Sequence, residues 1–409
     1  MKSIKSLKDG IIYYVHENYS DGSQVFANHS ILLYEGMVNG SPISSIYDID
    51  AYNINLEDLH EQKAIFKYRS GIDAFLPEGE YVRYHKTKDG LSYFEIVTAQ
   101  VMQRLDDYYI ERERDENKIA YFVPTHKEQK YKYLYRATNV KSFHVNVGHG
   151  NCSFIVFKLD DHNELWAVDC SVKEYSENYV LNVYQCLADI KRRYGVNKIS
   201  VLMVTHLHYD HINGIDLLID NGYVDSNTDV WMNIDYPCKM ATYKRIERRL
   251  LDDIGCSIVI PTSGASMIPN IRILYPDINF DSGNMPPNNH INNSSVLYLI
   301  DLGRTMLFTG DIETSAWKII DDTRIPRDFN ERIDYYCISH HGSKTGMPHL
   351  QELIDAFNMC RKQILMGRDG AYPGIFSKDV KKAFKNIIIT TPKCSYLELD
   401  WDSGNCSKH

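Results

Sequence analysis

The stretch Thr205-His206-Leu207-His208-Tyr209-Asp210-His211 sets three imidazoles and a carboxylate within six positions. Imidazole nitrogens beside a carboxylate oxygen are metal-ligand chemistry: the set suits zinc, and manganese or iron accept it too. Solvated loop histidines are the plain alternative, but this density and spacing is seldom met without an ion. On extended backbone His206 and His208, two apart, aim the same way, whereas Asp210 and His211 turn past them toward a second point.

The elements that must position these groups are legible on either side. Ile199-Ser200-Val201-Leu202-Met203-Val204 is β-branched and apolar enough for a buried strand, and Gly214 suits a turn into a helix. The cluster therefore falls at a strand's C-terminal end. Further along, Ser294 to Ile300, Leu302-Gly303-Arg304 and Met306 to Asp311 read as a hairpin whose second strand delivers Asp311. Arg332 to Ser339 reads as a further strand, delivering His340-His341-Gly342-Ser343.

The pattern His-x-His-x-Asp-His at 206–211 resembles the signature of the metallo-β-lactamase fold superfamily. Thr309-Gly310-Asp311 and His340-His341-Gly342-Ser343 look like the matching elements in the soluble hydrolase domain of the DNA-internalisation competence proteins. Phe143-His144-Val145-Asn146-Val147-Gly148-His149-Gly150-Asn151-Cys152-Ser153 is similar to that subgroup's opening strand and glycine turn. Ala167-Val168-Asp169-Cys170 matches the superfamily's early strand ending in Asp. The resemblance covers residues 141 to 400 and implies an α/β fold, a four-layer αββα sandwich of two central sheets under outer helices.

It also implies a two-metal hydrolytic centre, with zinc the first choice of ion and manganese the second. One ion takes His206 and His208; the other takes Asp210, His211 and one of the pair His340/His341, with Asp311 bridging. His340 is the expected ligand of that pair, being nearer the strand end, which leaves His341 to bind substrate or move protons. Two such ions lower the pKa of a bridging water and stabilise both oxygens of a displacement. Asp169 is expected to accept a hydrogen bond from a ligand histidine and fix its tautomer, or else to cap its strand. Asp210, His341, Ser343 and Lys344 form the expected catalytic set, and His290, Asn293 and His149 are further ligands or supports. Two departures from the family stand out: Asn289-His290-Ile291-Asn292-Asn293 replaces a ligand histidine common in the wider superfamily, and Gly370-Ala371-Tyr372-Pro373-Gly374 lacks a histidine before proline.

With 409 residues, 44% of them hydrophobic, the chain can bury a large core and divides into two expected domains. Residues 1–140 are Tyr-rich, with strand-like runs at Gly10-Ile11-Ile12-Tyr13-Tyr14-Val15, Ser30 to Tyr34 and Leu91 to Val97, and predict a smaller β-rich domain. A helix is expected from Thr98 to Glu113 and a linker at Pro124 to Lys130. Residues 141–409 hold the hydrolase. There, helical spacing runs through Val180, Leu181, Tyr184, Leu187 and Ile190, and again through Ile246, Leu250 and Ile254. Ser377 reads as the N-cap of a helix to Asn386, followed by the strand-like Ile387-Ile388-Ile389-Thr390.

Nine cysteines, an odd number without a Cys-x-x-Cys, point to a reducing compartment, and the expected location is cytoplasmic. No run approaches the roughly 20 apolar residues of a spanning helix, so no membrane partner is expected. A net charge of −9 decides nothing about nucleic acid, because local patches govern binding. Three such patches exist: Lys191-Arg192-Arg193, Lys244-Arg245 with Arg248-Arg249, and Lys381-Lys382 with Lys385. They read as solvated helix faces or, gathered on the rim of a cleft, as a track for a phosphate backbone. The expected activity is that of a metal-dependent phosphodiesterase or nuclease acting on DNA or RNA through a metal-bound hydroxide, so that a nucleic acid or nucleotide is the partner. A metallohydrolase of a small substrate (cyclic nucleotide, thioester or lactam) is the alternative, and a non-catalytic, metal-containing binding protein is the second.

Overall fold

The structure is a computed structural model. Up to residue 133 it describes residues 9–10 and seven strands; from 134 onward it describes all but 173–176, 235–240, 262–269, 277–290, 324–332, 369–374 and 391–393. The expected helix at 98–113, the linker at 124–130, His290 and the stretch 370–374 lie outside the described residues. Contacts divide the chain into two compact units. One comprises Met1–Glu113 with Cys238–Arg245 and Tyr372–Gly374; the other comprises Arg114–Pro237, Ile246–Ala371 and Ile375–His409.

The first unit carries a six-stranded antiparallel sheet. Its strands are Ile12–Ser20 (β1), His29–Met37 (β2), Ile46–Asp50 (β3), Ile65–Lys67 (β4), Tyr81–Lys86 (β5) and Ser92–Ile96 (β6), in the order β3-β2-β1-β5-β6-β4. The strand-like runs near residues 12, 31 and 93 fall in β1, β2 and β6.

The second unit is an αββα sandwich. One sheet has nine strands: Ile119–Ala120 (β7), Thr138–Val145 (β8), Cys152–Leu159 (β9), His162–Cys170 (β10), Val201–Met203 (β11), Asp229–Trp231 (β12), Ser257–Val259 (β13), and the C-terminal Tyr396–Asp400 (β20) and Cys406–Lys408 (β21). The other has six: Ile271–Tyr275 (β14), Leu297–Asp301 (β15), Thr305–Phe308 (β16), Tyr335–Cys337 (β17), Lys362–Leu365 (β18) and Ile387–Ile389 (β19). The sheets face each other across one apolar core. Trp166, Val168, Val201, Met203 and Trp231 enter it from the first sheet, and Tyr298, Met306, Phe308, Tyr335 and Cys337 from the second.

Alternate residues of the same strands are buried against helices, so the central strands read as continuous apolar runs with no polar face. Tyr336 turns away from its neighbours Tyr335 and Cys337 and stacks on Phe357 at 4.1 Å; Phe357 in turn meets Trp317 at 6.0 Å. This places the helices Thr314–Thr323 (α5) and Gln351–Asn358 (α6) on the outer face of the six-stranded sheet. On the other side Phe143 packs on Tyr194 at the end of the helix Glu177–Tyr194 (α1). The buried stripe of α1 runs through Val183, Cys186, Leu187 and Ile190, while Leu181, expected in that stripe, is exposed. Short helices Tyr209–Ile212 (α2) and Ile215–Asp220 (α3) follow β11, Ala241–Arg248 (α4) precedes a π-helical turn, and Lys378–Ala383 (α7) has the expected Ser377 cap, whose Oγ accepts the Asp379 amide at 3.1 Å. Among the described residues no helix is long and apolar enough to cross a membrane.

A polar line crosses the core. Trp401 Nε1 donates to Ser142 Oγ (3.0 Å), which lies 3.0 Å from His144 Nε2; His144 Nδ1 lies 2.9 Å from Ser153 Oγ, and that hydroxyl donates to Met366 Sδ at 3.4 Å. The indole can only donate, so Ser142 passes its own proton to Nε2 and His144 carries its proton on Nδ1. Burial pushes the His144 pKa down from 6.5 to about 3. A group depressed in the folded state takes up a proton on unfolding. His144 therefore contributes stability that is fully present above pH 6.5 and is lost as pH falls toward 3. Denaturant unfolding measured from pH 7 to 4 should show a steeper loss in the wild type than in His144→Gln; equal slopes would rule out a neutral buried His144.

Candidate metal centre

Both sheets deliver their chemistry at the same kind of edge. β10, β11 and β12 are parallel in register, as are β16, β17 and β18. Asp169 is the last residue but one of β10, and beyond the other C-terminal ends come the 205–211 segment, Gly310-Asp311, His340-His341 and Met366-Gly367. Parallel strands end with their side chains and amides converging, which is why open α/β sheets carry their sites there. The two edges are stitched together by backbone where Val296 N donates to Thr205 O at 2.7 Å; within the six-stranded sheet His340 N donates to Gly310 O at 3.1 Å.

Glycines permit the close approach. A Cβ on Gly310, whose φ is +54°, would stand 2.8 Å from both Thr205 Cβ and Ser295 Oγ; one on Gly150 would stand 2.3 Å from the Asp210 carbonyl oxygen. The Thr-Gly-Asp turn thus needs its glycine to lie on the histidine segment. His340 and His341 have φ of 48° and 47°, and Gly342 follows at 73°. Two successive left-handed histidines cost conformational energy, and such strain collects where a side chain must be aimed.

One atom from each of Asp210, His211, Asp311 and His341 lies within 4.8 Å of all the others, and all four residues are buried. The pairs are closer still: His211 Nε2 to Asp311 Oδ1 is 3.2 Å, His341 Nε2 to Asp311 Oδ2 is 3.1 Å, and His341 Nε2 to Asp210 Oδ2 is 3.2 Å. Despite these distances, His211 Nε2, His341 Nε2 and Asp311 Oδ1 are buried and make no hydrogen bond. Donors bonded at about 2.0–2.2 Å to one ion, at tetrahedral to octahedral angles, stand roughly 3–3.5 Å apart. The four side chains therefore fit the edges of a coordination polyhedron, and the nitrogen–oxygen chemistry suits a divalent ion.

The outer contacts fix which nitrogen faces inward. His211 Nδ1 lies 2.8 Å from Asp169 Oδ2, a carboxylate that also accepts the Thr205 amide (2.7 Å) and the Thr205 hydroxyl (2.8 Å). His341 Nδ1 donates to Met366 O at 3.1 Å, with Gly367 against its Cβ. With Nδ1 held outward in both rings, each Nε2 faces the carboxylates. Burial opposes charge on these rings, yet Asp311, joined by Asp169 at His211 and Asp210 at His341, outweighs it. The His211 pKa is raised well above its usual value and that of His341 to about 9. Burial would raise Asp311, but His341 and His211 hold it well below the usual carboxylate range. In the absence of an ion, protons take the place of the cation; a metal would displace them.

The remaining expected residues fall as follows. The buried His206 ring is 4.1 Å from that of His211 and 4.8 Å from that of His208. His340, expected as the ligand of its pair, is outside the set of four; its Nδ1 is 3.1 Å from Thr345 Oγ1 and 3.6 Å from Glu313 Oε1. Ser343 Oγ accepts the Thr345 amide at 3.3 Å, and the Lys344 ammonium is 3.5 Å from Asp379 with both side chains largely exposed, so neither is spent on the set. Asn293 holds the loop after Asp311: its Oδ1 accepts the Glu313 amide at 3.1 Å and its Nδ2 donates to Ser315 Oγ at 3.1 Å. His149 Nε2 is 3.3 Å from Asp210 Oδ2. Sequence reading missed Thr205 and Met366. Thr205 could have been found as the hydroxyl leading the histidine run; nothing marks Leu365-Met366-Gly367.

No protein-family model matches the chain, and no curated protein matches it. Among solved structures it is similar to the metallo-β-lactamase fold protein YhfI from Bacillus subtilis, at 14% identity and a TM-score of 0.36, covering 63% of this chain and 99% of that one. It is also similar to a structure described as a new diphosphatase from the PhnP family, at 11% identity and a TM-score of 0.34, covering 63% of this chain and 97% of that one. Likeness at this level is too weak to assign an activity.

Because Asp169 reaches the centre only through the His211 ring and Thr205, Asp169→Asn should leave the donors in place but release the tautomer. Zinc affinity measured by competition with a chelator should fall by about 10–100-fold, the usual cost of losing an outer partner. An unchanged affinity would show that Asp169 serves its strand end alone.

Proposed function

We propose that the second unit is a metal-dependent hydrolase that cleaves a phosphodiester, with a nucleic acid or nucleotide as substrate. The observation that carries this reading is the buried convergence of Asp210, His211, Asp311 and His341. These four hold one divalent ion, zinc or manganese; His206 and His208, packed beside His211, hold the other. A divalent ion held there polarises a phosphoryl oxygen and lowers the pKa of a water. The chain's own residues do the rest. Asp169 and the Met366 carbonyl keep the Nε2 atoms of His211 and His341 facing inward, and burial of all six donors keeps bulk water from competing with them. Asp311, with one oxygen toward His211 and the other toward His341, would be held ready for an ion by both rings.

A polynucleotide needs cations along its path, and the three basic clusters are not equal in this. Arg193 is bound by both oxygens of Glu398, and Arg249 by Asp216 and Asp220. A guanidinium already paired with carboxylates gives little to a phosphate. The cluster on α7 is placed differently: Ser377 N donates to Gly342 O at 2.9 Å, so that helix starts from the His341 turn. Lys382 on it and Lys385 just beyond its end are exposed. The pairing of Arg193 and Arg249 favours a second reading, a small phosphodiester such as a cyclic nucleotide, which needs no long track.

Purified protein supplied with zinc or manganese should hydrolyse a chromogenic phosphodiester, and Asp210→Ala should abolish this while its unfolding stays cooperative. Retention of less than roughly a tenth of an ion per chain would overturn the hydrolytic reading. Linear DNA and RNA separate the substrate classes. If a strand lies along α7, binding should weaken steeply between about 50 and 200 mM salt. Lys382→Glu with Lys385→Glu should then lower affinity for long strands and spare the chromogenic substrate. Absence of any salt dependence, with cyclic nucleotides cleaved, would favour the small-substrate reading.

A further inference from the structure

The polar line that crosses the core ends at the metal centre. Ser142 and His144, two apart on β8, turn to the inter-sheet core where Trp401 lies, and Ser153, directly opposite His144 in the β8–β9 register, shares the face of Ile155 and Phe157 in that core. All four members, Trp401, Ser142, His144 and Ser153, are fully buried. Apolar side chains would fill such positions without the cost of taking hydroxyls and ring nitrogens out of water. That cost is offset only where every member finds a partner, and a satisfied row fixes one arrangement of the core.

The bonds along the row all run one way. Because the Trp401 indole can only donate, Ser142 donates to His144, His144 donates through Nδ1 to Ser153, and the Ser153 hydroxyl is left to donate to Met366 Sδ at 3.4 Å. That last bond passes from β9 of the nine-stranded sheet to the residue just beyond β18 of the six-stranded one. Met366 stands where its strand runs out. The ladder holds Leu365, whose carbonyl accepts Thr390 N at 3.1 Å, and Gly367, with φ of +125°, turns the chain away. Between them the Met366 carbonyl accepts His341 Nδ1 at 3.1 Å. A Cβ on Gly367 would stand 3.2 Å from that of His341, so the two turns press on each other.

We infer that Ser153 is a positioning residue of the metal centre. By donating to the thioether it seats Met366 at the point where the strand releases it, and the Met366 carbonyl then holds His341 Nδ1 so that Nε2 meets Asp210 and Asp311. His144, Ser142 and Trp401 orient the hydroxyl that does this. The inference rests on the metal-centre reading above. The competing role of the row is packing alone, four buried polar groups that satisfy one another without bearing on His341.

Two readouts separate these roles without recourse to activity. In metal-free protein, exchange of the His341 Nδ1 proton can be followed by NMR, the signal being assigned by its loss in His341→Gln. Ser153→Ala should speed that exchange by about 10-fold, as expected when a local contact is released. Its cobalt affinity should fall by about 10-fold, the low end of the loss when an outer partner of a ligand is removed, and the visible bands of the bound ion should shift. Met366→Leu fills the same space without the thioether and should match Ser153→Ala, with the double variant no worse than either. Ile271→Ala, a cavity elsewhere in the same core, controls for lost stability. If Ile271→Ala moves both readouts as far as Ser153→Ala does, or if Ser153→Ala moves neither, the row is packing alone and the inference fails. Should Ser153→Ala not fold, Met366→Leu decides on the same readouts. A wild type that binds no cobalt removes the metal-centre reading beneath, and exchange of the Nδ1 proton then decides the inference by itself.

Discussion

Two carboxylates and two imidazoles, all withdrawn from water, face one another at about 3 Å, and the surrounding structure answers to that constraint. An isolated buried carboxylate is too costly to persist ionised. Asp311 persists because His211 and His341 flank its two oxygens. Asp169 and the Met366 carbonyl hold the Nδ1 atoms of those rings, which keeps each Nε2 on the carboxylates. Thr205 completes the support by giving both its amide and its hydroxyl to Asp169. These groups come from the ends of five strands, β10, β11, β16, β17 and β18, so the site exists only when both sheets have formed.

That dependence explains the glycines and the strain. Bringing the edge of one sheet onto the edge of the other leaves no volume for a Cβ at Gly310, and the turn ahead of β9 leaves none at Gly150. Aiming His341 inward requires left-handed backbone at two consecutive non-glycine residues, followed by a glycine. The energy stored there is offset by the αββα core, in which whole aromatic side chains such as Trp166, Tyr298 and Tyr335 are buried between the sheets. A rigid apolar sandwich with a strained polar rim is the expected division between stability and function.

The charges away from the rim tell a different story from their density in the sequence. Arg193 closes the C-terminal hairpin onto α1 through Glu398, and Arg249 ties the π-helical turn after α4 to Asp216 and Asp220. These pairs hold elements together, whereas Lys382 is exposed on the helix that starts from the His341 turn. Charge clusters counted along a chain overstate what is available to a ligand, because a carboxylate distant in sequence can claim each member.

Residue type and local period settle a good deal by themselves. The clustering of Asp210, His211 and Asp311 at strand ends, the hairpin that delivers Asp311 and the Ser377 cap were legible because each depends on neighbours within a few positions. So was the alternation of strands and helices behind the sandwich. What local order could not decide was which of two adjacent histidines faces the carboxylates. An extended strand end directs attention to His340, but β17 stops at Cys337 and the left-handed turn at 340–342 brings His341 round. Nor could it assign Lys344 to Asp379, Asn293 to the Glu313 loop, or the Met366 carbonyl to His341. These contacts join residues that the chain brings together only by closing one sheet over the other, and no spacing along the sequence encodes the direction in which a side chain leaves a strained turn.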